Sequence, residues 1–344
     1  MSIDLRTDYL GLHLRSPLVA SASPLTGDPA AVERLEAAGV GAIVLPSLFE
    51  EEILNEELEL NRSLEAGSEQ FAEALAYFPA VEAIPSAGDR YVERLGEIKR
   101  RTSVPVIASL NATSTGGWVE YAKRLQDAGA DALELNVYRV AADPAVAGGD
   151  IESADLDLVA AVRNSIAIPL AVKLSPFYSA LAEFAGRVVK AGADGLVLFN
   201  RFYQPDLDLE SRDVVNRVEL SRPWELRLPM RWIAILRPQV GPGVSLAATS
   251  GIHVGTDAIK ALMVGADVAM MTSALLLGGP DHVRVVETGM RDWLTEHEYE
   301  SVAQLRGSVS QAAVPDPAAF ERANYMRTLH SWATPSDLES AVIP

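Results

Sequence analysis

The strongest constraint on this chain is a phrase it repeats four times, in which a helical run ends at a glycine and a short apolar strand follows almost at once. Glu36-Ala37-Ala38-Gly39-Val40-Gly41-Ala42 runs into IVLPS, and Gln126-Asp127-Ala128-Gly129-Ala130-Asp131 into ALELN. Lys190-Ala191-Gly192-Ala193-Asp194 runs into GLVLFN, and Met263-Val264-Gly265-Ala266-Asp267 into VAMMTS. Glycine at the end of a helix takes the left-handed conformation that satisfies the last carbonyls. Four more apolar segments alternate with these: 17–22 (PLVASA), 104–110 (VPVIASL), 168–174 (IPLAVKL) and 244–248 (VSLAA). Proline near the start of VPVI and IPLA sits where a missing N–H is tolerated. None of the eight shows polar alternation, so both faces of each strand are buried, as in a parallel sheet. Eight strand–helix units predict an α/β fold, a (β/α)8 TIM barrel; an open doubly wound sheet is the alternative.

The connecting segments carry helical spacing. Asp28-Pro29 opens a helix with Ala30, Val32, Leu35 and Ala38, and 118–128, 155–164 and 181–189 repeat the pattern. Residues 1–15 are expected to form a short hairpin around Leu10-Gly11-Leu12 that closes the barrel bottom. Two segments exceed simple connections, 47–89 with its acidic run Glu50, Glu51, Glu52, Glu56, Glu57 and Glu59, and 201–229. Long loops at the C-terminal ends of barrel strands cover active sites. The acidic run alone reads as a solvated helix face. The tail, 299–344, is punctuated by Pro315, Pro317 and Pro335 and is expected to pack on the barrel or on a neighbouring subunit. The whole of 1–344 reads as a single domain with its core at about 16–298.

Composition excludes several classes of function. The chain has no cysteine, so disulfides, thiolate metal sites and a catalytic thiol are absent. Its net charge of −18 argues against nucleic acid, while leaving room for a small anion held by local dipoles. No apolar run approaches the roughly 18 residues of a membrane span, and the acidic N-terminus is unlike a signal peptide; a cytoplasmic protein is expected. The five histidines show no metal spacing, and no G-x-S-x-G motif is present, so no metal is expected and hydrolase chemistry is disfavoured.

Chemistry in such a barrel belongs at the C-terminal strand ends. The stretch 243–276 supplies two of them, strand seven ending at Thr249-Ser250-Gly251 and strand eight at Thr272-Ser273, each followed by a helix. Small residues there leave backbone N–H groups aimed outward, a phosphate grip. Strand five ends in Lys173, a lysine inside an apolar strand, whose burial is costly unless the ammonium is paired or faces a ligand. Asn111, Asn136 and Asn200 end strands three, four and six, and their amides can read a flat heterocycle carrying N–H and C=O groups.

Together SPLVASAS, ALELN, LAVKLSPF, LFN and ATSGIHVGTDAIKALMVGADVAMMTSALL resemble the dihydroorotate dehydrogenases, in the same order and at suitable spacing over about residues 5–306. The resemblance implies FMN held non-covalently across the barrel mouth and hydride transfer from a CH–CH substrate such as dihydroorotate, in pyrimidine biosynthesis. It implies that Ser21, Ala22 and Ser23 line the isoalloxazine ring and that Asn136 and Lys173 bond its polar edge; Asn111, from the row of amides, is a further cofactor-binding candidate. Ser250, Gly251, Thr272 and Ser273 would hold the phosphate, and Asn136 and Asn200 would contact substrate. Homo-oligomerisation and a redox partner protein are further expectations.

The chain departs from the family at the opposite rim. Where the family has a Cys or Ser base, three residues after the asparagine of ELN, this chain has Arg139, which cannot act as a base at ordinary pH. Tyr138 and Ser175 are the candidates to move a proton. The family's lysine after strand two is Pro46, its next asparagine has no counterpart in Val140-Ala141-Ala142, and its Gly-Gly pair is Ser250-Gly251. Two other readings stay open: a non-catalytic or electron-relaying flavoprotein subunit, and a phosphate-binding isomerase or lyase without flavin.

Overall fold

A computed structural model, describing residues 3–53, 86–112 and 118–331, joins the apolar segments into a closed parallel barrel. Its strands are β1 (Leu18–Ala20), β2 (Ala42–Phe49), β3 (Val106–Asn111), β4 (Ala132–Asn136), β5 (Leu170–Leu174), β6 (Gly195–Leu198), β7 (Ser245–Thr249) and β8 (Val268–Met271). Pairing of Ser245 with Gly195 through Ala248 with Leu198 joins β7 to β6, so the ring has no edge and the open sheet is ruled out. Strands β1, β3 and β5 begin one residue after a proline, later than the spacing predicts. Proline has no N–H for the ladder, but its carbonyl still serves: Pro17, Pro105 and Pro169 accept from Ala269, Ile43 and Leu133.

The two faces of each strand pack differently. Leu133, Leu135, Leu170, Val172 and Leu174 face outward into the layer shared with the helices. Val19, Val44, Ile107, Ala132, Ala171 and Val197 face inward. The expected hairpin is present, pairing Thr7–Tyr9 with Leu12–Leu14 around Leu10 and Gly11, both at positive φ as a tight hairpin turn requires. It plugs the bottom of the barrel: Tyr9, Leu10 and Leu14 join the inner cluster, and the Leu10 N–H donates to Ser245 Oγ at 2.8 Å.

The repeated phrase has a second purpose at this end. Asp131 Oδ2 accepts from the Val106 N–H at 2.7 Å and from Lys99 Nζ at 2.6 Å. Asp194 Oδ2 does the same with Leu170 N–H at 2.8 Å and Arg163 at 2.9 Å. Asp267 Oδ2 takes Leu246 N–H at 2.7 Å and Arg237 at 3.1 Å, while its Oδ1 takes Arg306 at 2.6 Å. Each aspartate thus ties the start of the preceding strand to a cation. The first copy of the phrase has Gly41 instead, and a Cβ there would lie 1.9 Å from the Ser16 carbonyl oxygen.

Of the two long segments, 54–85 lies outside the described residues, and Glu56, Glu57 and Glu59 with it. The segment 201–229 carries an exposed hairpin, Asp206–Asp208 with Asp213–Val215, and then the short 3-10 turn Pro223–Leu226 before helix Arg227–Val240. The tail packs against barrel helices, with backbone bonds from Gly307 to Leu262, Val309 to Met263 and Gln311 to Ala234. Among the described residues no helix is long and apolar enough to cross a membrane.

Candidate active site

Strand register assembles one row of polar groups inside the barrel mouth. Asn111 pairs with Asn136 across β3 and β4, and Asn136 pairs with Lys173 across β4 and β5. Because Ala132 and Ala171 face inward, the period of two turns Glu134, Asn136 and Lys173 inward as well. Lys173 is 9% exposed and Glu134 1%, with Nζ 3.3 Å from Oε1. Glu134 is the residue that sequence reasoning passed over. Two buried charges would each cost several kcal/mol alone, roughly, and are tolerable only together. Even so, Glu134 Oε2 and Asn136 Oδ1 are buried with no hydrogen-bond partner among the described residues.

The neighbouring strand ends complete the mouth. Ser21 and Ser23 are buried beyond β1, with Ala22 packed on the inner cluster, and Ser23 Oγ also lacks a partner among the described residues. Asn200 is buried beyond β6, and its amide nitrogen donates to the carbonyls of Val137 and Lys173 at 3.3 and 3.4 Å. Its donors therefore brace the ends of β4 and β5.

At the β7 and β8 ends the structure corrects one expectation. The N–H groups after β7 are not all left unpaired. Asp257, in the first turn of helix Gly255–Val264, accepts from His253 and Val254, both at 3.1 Å, and so caps that helix from within. The Gly251 N–H donates to Ser221 Oγ at 3.3 Å, and Ser221 donates to Ser273 Oγ through its N–H at 2.8 Å and its hydroxyl at 2.9 Å. Ser221, carried in by the long segment after β6, bridges the two turns. The Gly251 N–H and the hydroxyls of Ser221 and Ser273 converge there, with Thr272 partly exposed beside Ser273. Ser250 and Gly251 both have positive φ, 74° and 75°. A Cβ on Gly251 would lie 2.5 Å from the Leu226 nitrogen, so the turn requires glycine.

The opposite rim is built around Arg139. Its Nη2 lies 3.5 Å from Oδ1 of Asp155, a carboxylate buried on helix Gly148–Ser165 whose Oδ2 accepts from the Tyr178 hydroxyl at 3.2 Å. Burial pushes the Asp155 carboxyl above its ordinary range, against the pull of Arg139 and Tyr178. Arg139, Asp155, Tyr178 and Ser175 line one cavity of about 300 Å³. Ser175 Oγ accepts from the Phe177 N–H at 3.2 Å. Tyr138 is turned toward Phe202, ring centroids 6.0 Å apart, and Phe202 meets Phe177 edge-on at 4.9 Å. A second cleft, about 600 Å³, runs from Asn200 to Thr249 and Ser250 beneath Arg201, Phe202 and Glu225.

Comparison with known proteins bears on this geometry. The family model for dihydroorotate dehydrogenase matches residues 83–294, more than half of the chain, from before β3 through β8. The chain belongs to the dihydroorotate dehydrogenase family. Members of this family are oxidoreductases acting on CH–CH groups. A dihydroorotate dehydrogenase B (NAD(+)) catalytic subunit of Thermoplasma acidophilum is 26% identical over 88% of this chain and 98% of its own length. The protein of the same name from a Geobacter species is 30% identical over 64% of this chain and 73% of its own.

Proposed function

We propose that this dihydroorotate dehydrogenase relative is an FMN-dependent oxidoreductase, with the flavin lying across the barrel mouth. The observation that carries the reading is the row Asn111, Asn136 and Lys173, set side by side by register, with a buried acceptor at its centre, Asn136 Oδ1, that has no protein partner among the described residues. The residues present fit such a group. A flat ring edge with alternating N–H and C=O groups would satisfy Asn136 Oδ1 and the Lys173 ammonium together. Ser21, Ala22 and Ser23 would line the ring, while Ser250, Gly251, Thr272 and Ser273 would hold the phosphate once Ser221 yields its bridging place. Bound FMN would supply the two-electron acceptor.

This chain's own groups would then do the rest. Lys173 would favour negative charge at the polar edge, and Asn136 and Asn200 would orient a small-molecule substrate over the ring. Arg139, paired with buried Asp155, cannot take a proton, so it would orient an anionic group. Tyr138 and Ser175 are the candidates to move the proton, with dihydroorotate as the candidate substrate. The unit is proposed to be a single cytoplasmic domain that self-associates. The words "catalytic subunit" in its relatives' names suggest a redox partner as well.

A second reading, an electron-relaying subunit, is favoured by the guanidinium at the base position. One experiment separates the two. FMN titrated into the purified protein is expected to bind with a flavin spectrum, and dihydroorotate added anaerobically is expected to bleach it. No FMN uptake overturns the flavin reading; uptake without bleaching supports the relay.

A further inference from the structure

The buried carboxylate of Glu134 has no evident structural task. Its Oε1 touches Lys173 at 3.3 Å, and Oε2 has no partner among the described residues. The carboxylates at the other end of the barrel are different, since Asp131, Asp194 and Asp267 each accept a strand N–H as well as a cation. Level with Glu134 the interior is lined by Ala171 and just below it by Ala132, and an apolar side chain at 134 would continue that packing. Exchange of a buried ion pair for apolar residues is typically neutral or stabilising, so stability alone gives no reason for this pair.

Register shows what the pair can do. Asn136 lies level with Lys173, whereas Glu134 lies level with Ala171, one layer deeper along the barrel axis. The cation therefore sits at the mouth with the anion behind it. A lone buried ammonium acts on a neighbouring ring as a full charge; an ammonium backed by a carboxylate acts as a dipole, and its influence falls off faster with distance. Tyr9 does not take over either charge. Burial first, and then the negative charge of Glu134, hold its phenol well above the ordinary range, so it stays neutral.

We infer that Glu134 is a positioning residue that attenuates the positive charge Lys173 presents to the flavin, and so holds the reduction potential of bound FMN down. This rests on the FMN reading above. Glu134→Gln keeps an acceptor for Lys173 Nζ but removes the negative charge; Glu134→Asp keeps the charge and withdraws it by one methylene.

The test uses full-length protein loaded with FMN, equilibrated anaerobically against a reference redox dye, with FMN dissociation constants measured separately. Glu134→Gln is expected to shift the oxidised–reduced equilibrium toward reduced FMN about tenfold, about 30 mV upward for a two-electron couple. Glu134→Asp is expected to shift it the same way by less. A variant that binds FMN with an unchanged or lowered potential overturns the inference while leaving the flavin reading intact. If Glu134→Gln does not fold, Glu134→Asp decides alone. Failure of both to fold would mark Glu134 as structural, and a wild-type protein that takes up no FMN would remove both readings.

Discussion

The two ends of this barrel are made from the same strands but treat their polar side chains in opposite ways. At the bottom, Asp131, Asp194 and Asp267 each join a strand N–H to a lysine or arginine, and Asp267 engages Arg237 and Arg306 on separate oxygens. At the mouth, Asn136 Oδ1, Glu134 Oε2 and Ser23 Oγ are buried without partners among the described residues. Ser250 holds a left-handed conformation that a serine resists. Buried polar groups are normally satisfied, and an exception calls for a reason. The three bottom aspartates are satisfied within the chain, and only the buried Tyr9 hydroxyl of the plugging hairpin lacks a partner there among the described residues; at the mouth an amide, a carboxylate and a hydroxyl are left open to a partner from outside the chain. The usual division of labour between the faces of such barrels is thus visible in the hydrogen bonds alone.

That contrast can be broken from either end. Asp267→Asn leaves two guanidinium groups without their buried countercharge and weakens the cap on Leu246. A loss of about 3 kcal/mol is expected in chemical denaturation, with FMN affinity of the folded protein unchanged. At the mouth the reverse is expected. Replacing the pair together, Lys173→Met with Glu134→Leu, removes both buried charges and should leave stability within about 1 kcal/mol of wild type. FMN affinity should fall at least thirtyfold, about 2 kcal/mol. A double variant that unfolds but still binds flavin when folded would reverse the assignment of the two ends.

The barrel was legible because its signals are local. A glycine helix stop followed by an apolar strand needs no knowledge of the rest of the chain, and four copies alternating with four other apolar segments give eight units. Lys173 was legible for the same reason, a charge inside an apolar strand. Its partner was not. Glu134 stands in plain view in ALELN, but its pairing with Lys173 depends on the stagger between β4 and β5, which is a tertiary property. Ser221 was hidden more deeply, reaching Ser273 from 52 positions away through a long connection. Asp155 was read only as part of an amphipathic helix, and its burial beside Arg139 depends on how that helix seats. The aspartate cap at Asp257 could have been found, since an acidic residue in the first turn of a helix is a known competitor for its N–H groups.

The turn after β7 offers the finer tests, because two adjacent residues there share a backbone conformation but not its cost. Gly251→Ala would place a methyl 2.5 Å from the Leu226 nitrogen and 3.0 Å from the Pro223 carbonyl oxygen, both backbone atoms with little freedom to move. The left-handed φ alone costs about 1–2 kcal/mol, and with the clash added a destabilisation larger than that is expected in denaturant unfolding, together with weaker FMN binding as the Ser221 bridge is displaced.

Ser250→Gly acts in the other direction. At φ 74° the serine bears a left-handed cost of about 1–2 kcal/mol that glycine would not. Glycine also loses more chain entropy on folding, by about 0.5–1 kcal/mol. The difference leaves a net gain of about 0.5 kcal/mol, readable as a small rise in the unfolding midpoint at constant slope. If the serine hydroxyl is there for the phosphate, the same variant should bind FMN more weakly while being more stable. A gain in stability with no loss of affinity would place Ser250 outside the grip and leave Gly251, Thr272 and Ser273 to form it.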